Sequence, residues 1–347
     1  MDAWTVVERR DLSEQTWDDA VVAAPDGWLW HRHRFQDVLA TWPARRDHSF
    51  ALVDGAGTPV AIVPAHVVTA RRFGVSVRRV DVLGGPCVPT PARREHGLVL
   101  EAATAALRQL AARTASVHVT VTLPSIGRAA RELAADATNP LVALGYRDLS
   151  DRSWVVATDL GEEEVWARVQ PRTRRYIRAA SSGAVAVRSM THDDLPGYHR
   201  LHRATCARTG AAPHPIEYFE AMWRLLVPAG LTYGLVAECD GVAVAACHVA
   251  TDRDAATWWT AAADDRGLAA HANDVIVWEV LRRAGAAGIV EVDLGEAHVE
   301  HGSEKHHAIA AFKRKFGGTL RPLHRGRLMT ARPPWSWFVA ALDRSSR

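Results

Sequence analysis

The chain has 347 residues, 48% hydrophobic and 23% charged, a balance that suits a folded protein of about two domains and excludes a disordered one. The formal net charge is +3, so no global basic field of the nucleic-acid-binding kind surrounds the molecule. No run approaches the roughly 20 apolar residues that span a bilayer.

The N-terminal segment through Asp19 carries several acids and lacks the apolar run of a signal peptide. Cys87, Cys206, Cys239 and Cys247 are scattered, with no CxxC pair. They read as small core residues in a reduced, cytoplasmic setting. Trp28–Arg34 mixes aromatics with bases and reads as the start of a surface helix. Ser49–Pro64 is two apolar runs about Asp54-Gly55, a hairpin signal because glycine accepts the positive φ of a tight turn. A strand at Arg79–Leu83, a Gly/Pro loop to Pro91, a helix at Glu95–Arg113 and a strand at Val117–Leu123 follow.

The same plan returns about 180 residues later. Tyr233–His248 repeats the hairpin about Asp240-Gly241. A strand at Ala256–Ala261, a loop at Asp264–Ala272, a helix at Asn273–Ala284 capped by Asn273, and a strand at Ile289–Leu294 complete it. A last helix spans His307–Phe316, stopped by Gly317-Gly318. The repeat predicts two related α/β domains, joined between Gly145 and Trp154.

The order of elements in each half is similar to that of GNAT-type acyltransferases. Between Trp166 and Arg188 the chain reads WARVQPRTRRYIRAASSGAVAVR. Asp293-Leu294-Gly295 and Phe312-Lys-Arg-Lys-Phe-Gly317 come later. In this order the motifs resemble the Fem family of peptidyltransferases over residues 145–325. The resemblance implies two tandem GNAT-like domains, 1–148 and 149–347, each a mixed, largely antiparallel sheet flanked by helices. It implies transfer of an aminoacyl group from aminoacyl-tRNA to an amine of a peptide, natural product or peptidoglycan precursor. That acceptor could be nucleotide-linked or lipid-linked, the latter met by peripheral membrane contact. The long helical arm of some members is missing between Leu195 and Leu235. The phosphate loop of acyl-CoA enzymes is replaced by Asp265-Arg-Gly-Leu-Ala-Ala-His271, with one glycine. An acyl-CoA-dependent N-acyltransferase and a non-catalytic GNAT-like scaffold are the rival readings.

Two basic islands contain no acid. Trp166–Arg188 holds six arginines and Lys305–Arg327 seven Lys/Arg. Arg174 and Arg178 fall one turn apart, with Arg172 and Arg175 beside them; they either grip phosphate or form a solvated face. In the last helix Ile309, Phe312 and Phe316 share the apolar stripe and Lys313 flanks it. Lys313 is either a salt-bridged surface lysine or an ammonium placed to stabilise the oxyanion formed when an amine attacks a carbonyl. Arg314 and Lys315 point to solvent on this reading. Asp293 either takes a proton from the amine or caps the turn after its strand. His271 and Asn273 lie where a donor or acceptor would pass. Trp258 and Trp259 put one indole on each sheet face, one in the core and one facing substrate. The acids and histidines of Glu296–His307 fit no zinc spacing, so no metal is expected. No Ser-His-Asp arrangement is present, and the cysteines sit in apolar contexts.

Overall fold

A computed structural model describes residues 4–72, 75–133, 138–298 and 304–331. The chain forms two compact units. One comprises the residues up to Arg152 together with the segment from Pro322; the other is Ser153–Arg321.

The first unit contains two sheets. The smaller has the order β1-β3-β4, with β1 Thr5–Glu8, β3 Phe50–Val53 and β4 Pro59–Val63. β3 and β4 are the predicted hairpin. Asp54 closes its turn by accepting the N–H groups of Ala56 and Thr58, each at 2.9 Å. The larger sheet has the order β2-β5-β6-β7-β16-β8, with β2 Arg45–Asp47, β5 Ala65–Arg72, β6 Val75–Leu83, β7 Ser116–Thr122, β8 Arg147–Asp148 and β16 Arg325–Met329. Helix α3 (His96–Arg113) crosses between the parallel strands β6 and β7. Its Val99, Ala103, Leu107 and Leu110 pack on Val80, Val82, Val119 and Val121 of the sheet. Helix α1 (Glu14–Ala23), capped by Ser13, buries Trp17 and Val21 on the small sheet, and α2 (His33–Ala40) follows. The short α4 is Arg128–Glu132.

Two expectations are corrected here. β5 gives no strand signal in the sequence: its AHVVTARR mixes polar and apolar residues because only one face of the strand meets the α3 core. The resemblance assigned everything after residue 149 to the second half. Instead β16 returns to the first unit and lies antiparallel between β7 and β8.

The second unit is built on one sheet of order β10-β11-β12-β13-β14-β9-β15. Its strands are β9 Asp151–Ala157, β10 Ala186–Ser189, β11 Thr232–Cys239, β12 Val242–Asp252, β13 Ala255–Ala263, β14 Glu291–Glu296 and β15 Thr319–Leu323. β13 and β14 are the parallel pair, while β10 to β13 and the β14–β9 pair are antiparallel. Asp240 and Gly241, at φ 54° and 73°, make the tight turn between β11 and β12. β12 is buried without a break from Val244 to Ala250, apolar but for His248, because helices cover both of its faces.

On one face lie α5 (Glu162–Arg168), α6 (Pro171–Ala179) and the crossover helix α10 (Ala272–Ala286). Ile276, Val280 and Ile177 fill that core against Val249 and Ala256. On the other face lie α7 (Leu195–Thr209) and α8 (Ile216–Leu226). These helices have 15 and 11 residues and are broken at Gly210, so this stretch forms no long arm. The short α9 (Asp265–Ala269) and α11 (Glu304–Arg314) complete the unit. α11 ends two residues before the predicted Phe316.

Candidate functional site

The sheet of the second unit opens at one place. β13 pairs with β14 only over Ala255–Thr257, whereas its pairing with β12 runs on to Ala263. From Trp258 onward the two parallel strands separate. α10 begins just past the far end of β13, and β14 carries its last residues beside α11. Lys313, Phe312, Trp258 and Asp293 lie beside this divergence.

Lys313 is 8% exposed. Its Nζ donates to the Glu296 carbonyl at 2.8 Å. Burial pulls its pKa below the ordinary lysine value, while the nearby charges of Asp293 and Glu296 oppose that pull. Gly295 makes room for it: a Cβ there would stand 2.9 Å from Nζ, and the backbone φ is 95°. Asp293, 7% exposed, accepts from Ser153 Oγ and from the Gly295 N–H, each at 2.5 Å. The carboxylate thus fixes the bulged end of β14 under the ammonium. Both bonds end on Oδ1, the geometry of a turn cap.

Phe312 stacks on Trp258 with centroids 5.7 Å apart, so Trp258 belongs to the core on the Lys313 side. Trp259 meets Tyr218 of α8 on the opposite face, away from this site. Lys315 does not point to solvent. It pairs with Asp274, a carboxylate 2% exposed, and its ammonium stands 4.1 Å from the centre of the Phe312 ring. Desolvating Asp274 requires a counter-charge, and Lys315 supplies it. Arg314 is exposed.

The helix expected to begin at Asn273 begins at Ala272, with His271 in the cap position at φ 57°. Asn273 therefore sits inside the first turn, and its Oδ1 is buried without a hydrogen-bond partner among the described residues. His271 Nδ1 lies 3.2 Å from Asp274 Oδ2. Its ring stacks flat on Tyr176, 4.0 Å between centroids at 9°. Arg172 donates to the Tyr176 hydroxyl at 2.6 Å.

The arginine segment is less open than its composition suggests. Arg174 donates to the carbonyls of Trp166 and Ala167, tying α6 to α5. Arg178 lies over the Trp166 ring, Arg168 pairs with Glu164, and Arg188 pairs with Asp194 and Glu238. Arg172 and Arg175 are exposed on α6.

Tyr176 and Asp274 are not among the residues the sequence points to, and Gly295 is marked there only as part of Asp293-Leu294-Gly295, without this role. His271 and Asp274 stand three apart on a helix start, a spacing that could have exposed that pair. Among the acids and histidines of Glu296–His307, Glu296 and His298 approach to 3.8 Å and His298 packs on His306; Glu300 and His301 lie outside the described residues. A cavity of about 470 Å³ lined by Thr158, Glu162, Trp278 and Ile289 sits at the start of β14, at the end opposite Lys313. No helix among the described residues is long and apolar enough to cross a membrane.

Asp264 caps α9 and accepts the Gly267 N–H at 2.8 Å, while the Leu268 N–H bonds the Asp264 carbonyl at 3.0 Å. A Cβ at Gly267 would come within 2.4 Å of the Val244 carbonyl, so this glycine serves close packing on β12.

Residues 167–314 match the family model of the acetyltransferase (GNAT) domain. The crystal structure of FemX is similar over 92% of this chain and 96% of its own, at 14% identity and a TM-score of 0.68. Residues 167–314 are a GNAT domain within a chain of Fem-like fold. A tandem GNAT protein from the clavulanic acid biosynthesis pathway is similar over 95% and 98% of the two chains, at 15% identity and a TM-score of 0.53. N-myristoyltransferase of Saccharomyces cerevisiae with bound myristoyl-CoA is similar over 96% and 84%, at 12% identity and a TM-score of 0.57. No curated protein matches the sequence. The GNAT match makes this Fem-like protein an acyltransferase. Its expected tandem, mixed α/β architecture is the one observed.

Proposed function

We propose that this acyltransferase moves an aminoacyl group from aminoacyl-tRNA to the amine of a peptide, peptidoglycan precursor or peptide-like natural product, in the cytoplasm. The amine nitrogen attacks the ester carbonyl, a nitrogen–carbon bond forms, and the bond to the tRNA oxygen breaks. Lys313 stabilises the oxyanion of the tetrahedral intermediate. Asp293 keeps β14 folded around the ammonium and favours its charged form. Arg175, and Arg172 through the guanidinium nitrogens it does not spend on Tyr176, meet phosphate on the donor or on a nucleotide-linked acceptor.

The observation that carries the reading is the buried ammonium of Lys313 at the mouth of the β13–β14 divergence, with Gly295 clearing space for it. Preference for an ester donor over acyl-CoA rests on the β13–α10 loop. Asp264 occupies the Gly267 N–H that a pyrophosphate would need and adds negative charge there. The bound myristoyl-CoA of the yeast neighbour keeps acyl-CoA as the rival donor.

Mass spectrometry of the acceptor separates the donors. Purified protein is incubated with free peptides and nucleotide-diphosphate-linked peptides, and with charged tRNA, acetyl-CoA or myristoyl-CoA. The reading expects a mass gain of one amino-acid residue from charged tRNA alone, weakened by salt. A gain only from the acyl-CoA donors contradicts it.

A further inference from the structure

His271 and Asp274 make a carboxylate–imidazole pair at the entrance to the β13–β14 opening. The carboxylate is 2% exposed and the imidazole side chain 40% exposed, with Nδ1 and Oδ2 3.2 Å apart. Lys315 holds the other oxygen of Asp274. The stack on Tyr176 fixes the plane of the ring. A carboxylate on Nδ1 selects the tautomer that carries its proton there, and Nε2 is left as the basic nitrogen. Lys315 lies on α11, two residues from Lys313, and reaches Asp274 on α10. One ion pair thus locks together the helix with the buried ammonium and the helix start with the imidazole.

We infer that His271 accepts the proton lost by the attacking amine, and that Asp274 is its positioning residue. This inference rests on the acyl-transfer reading above. As the nitrogen–carbon bond forms, the carbonyl π pair moves to oxygen beside Lys313. The proton on the attacking, now cationic, nitrogen passes to His271 Nε2, and Lys313 keeps its own. When the oxyanion collapses and the donor oxygen leaves, that same proton passes to the leaving oxygen, and His271 returns to its neutral tautomer. Asp293 Oδ1 serves the fold of β14 through Ser153 and Gly295, and the proton goes to His271.

The tautomer is read directly, without any substrate, by ¹⁵N NMR of the full chain labelled at histidine, with His271→Gln to assign the signal. The inference expects the His271 proton on Nδ1, and loss of that preference in Asp274→Asn. A proton on Nε2 in the unmodified protein overturns it, whatever the donor proves to be. In the acceptor-mass assay, with the donor that assay identifies, His271→Gln should lower kcat by about 10²-fold or more while KM moves less than about threefold. Full turnover by His271→Gln overturns the inference and leaves the Lys313 reading standing. Because the imidazole is partly exposed, this substitution spares the core; an unchanged melting temperature confirms that the loss is chemical.

Discussion

At the residue scale the account turns on how a lysine is kept buried and charged. The 2.9 Å approach of Lys313 to a Cβ at position 295, with φ at 95°, makes Gly295→Ala costly twice. It strains the backbone by about 1–3 kcal/mol and pushes the ammonium off its seat. Chemical denaturation should show that loss, and transfer should fall with it. Burial also sets a pH dependence. A lysine with its pKa below the usual 10.5 loses its charge earlier than a free lysine. The oxyanion is stabilised while the ammonium persists, so the rate should fall on an alkaline limb below pH 10.5. In Lys313→Arg the limb should vanish, because guanidinium does not titrate there. Stability moves the other way. The unfolded chain binds this proton more tightly, so folding gains as pH rises between the two pKa values. Lys313 was legible because Phe312 and Phe316 mark the apolar stripe it borders. Gly295 and Tyr176 were not, because their roles come from contacts with residues far away in sequence.

At the element scale, ion pairs fasten helices and strand edges that the apolar pattern alone leaves loose. Lys315 ties α11 to α10 through Asp274. Lys315→Met should destabilise the protein by about 3 kcal/mol, because it strands a carboxylate that is 2% exposed. A shift of the denaturation midpoint measures this, and an unchanged midpoint would dismiss the pair as ornamental. Arg188 joins β10 to the start of α7 and holds the Asp194 carboxyl down to about 2, against an ordinary 3.8. Its stabilisation is therefore full above the ordinary value and lost as pH falls through about 2. The guanidinium is 42% exposed, and solvent screening reduces the contribution to about 1 kcal/mol. Arg188→Leu should lose that amount at pH 7 and match the unmodified protein near pH 2, as acid titrations of the two would show. The elements themselves were legible where one physical signal dominates. Asp-Gly turns marked both hairpins, and the apolar spacing of α3 fixed its length. The start of α10 is shifted from Asn273 because His271, in the left-handed conformation uncommon for non-glycine residues, takes the cap position.

At the scale of the whole molecule, the repeated plan was visible because each half contains one helix crossing between two parallel strands, β6–α3–β7 and β13–α10–β14. The return of β16 to the first unit was not, since nothing in Arg325–Met329 states which sheet edge it will meet. A chain ended at Arg321 should therefore lose the strand between β7 and β8. Hydrogen exchange should then show β7 amides, slow in the full chain, exchanging quickly, while amides of β12 stay protected. Protected β7 amides would contradict this assignment. The central claim is that the Lys313 ammonium stabilises the charge formed during acyl transfer, and its most direct test is the single-turnover rate of Lys313→Met beside its melting curve. The account predicts a fall of about 10²–10³-fold with cooperative unfolding retained. A folded variant that transfers within about twofold of the unmodified rate would contradict it.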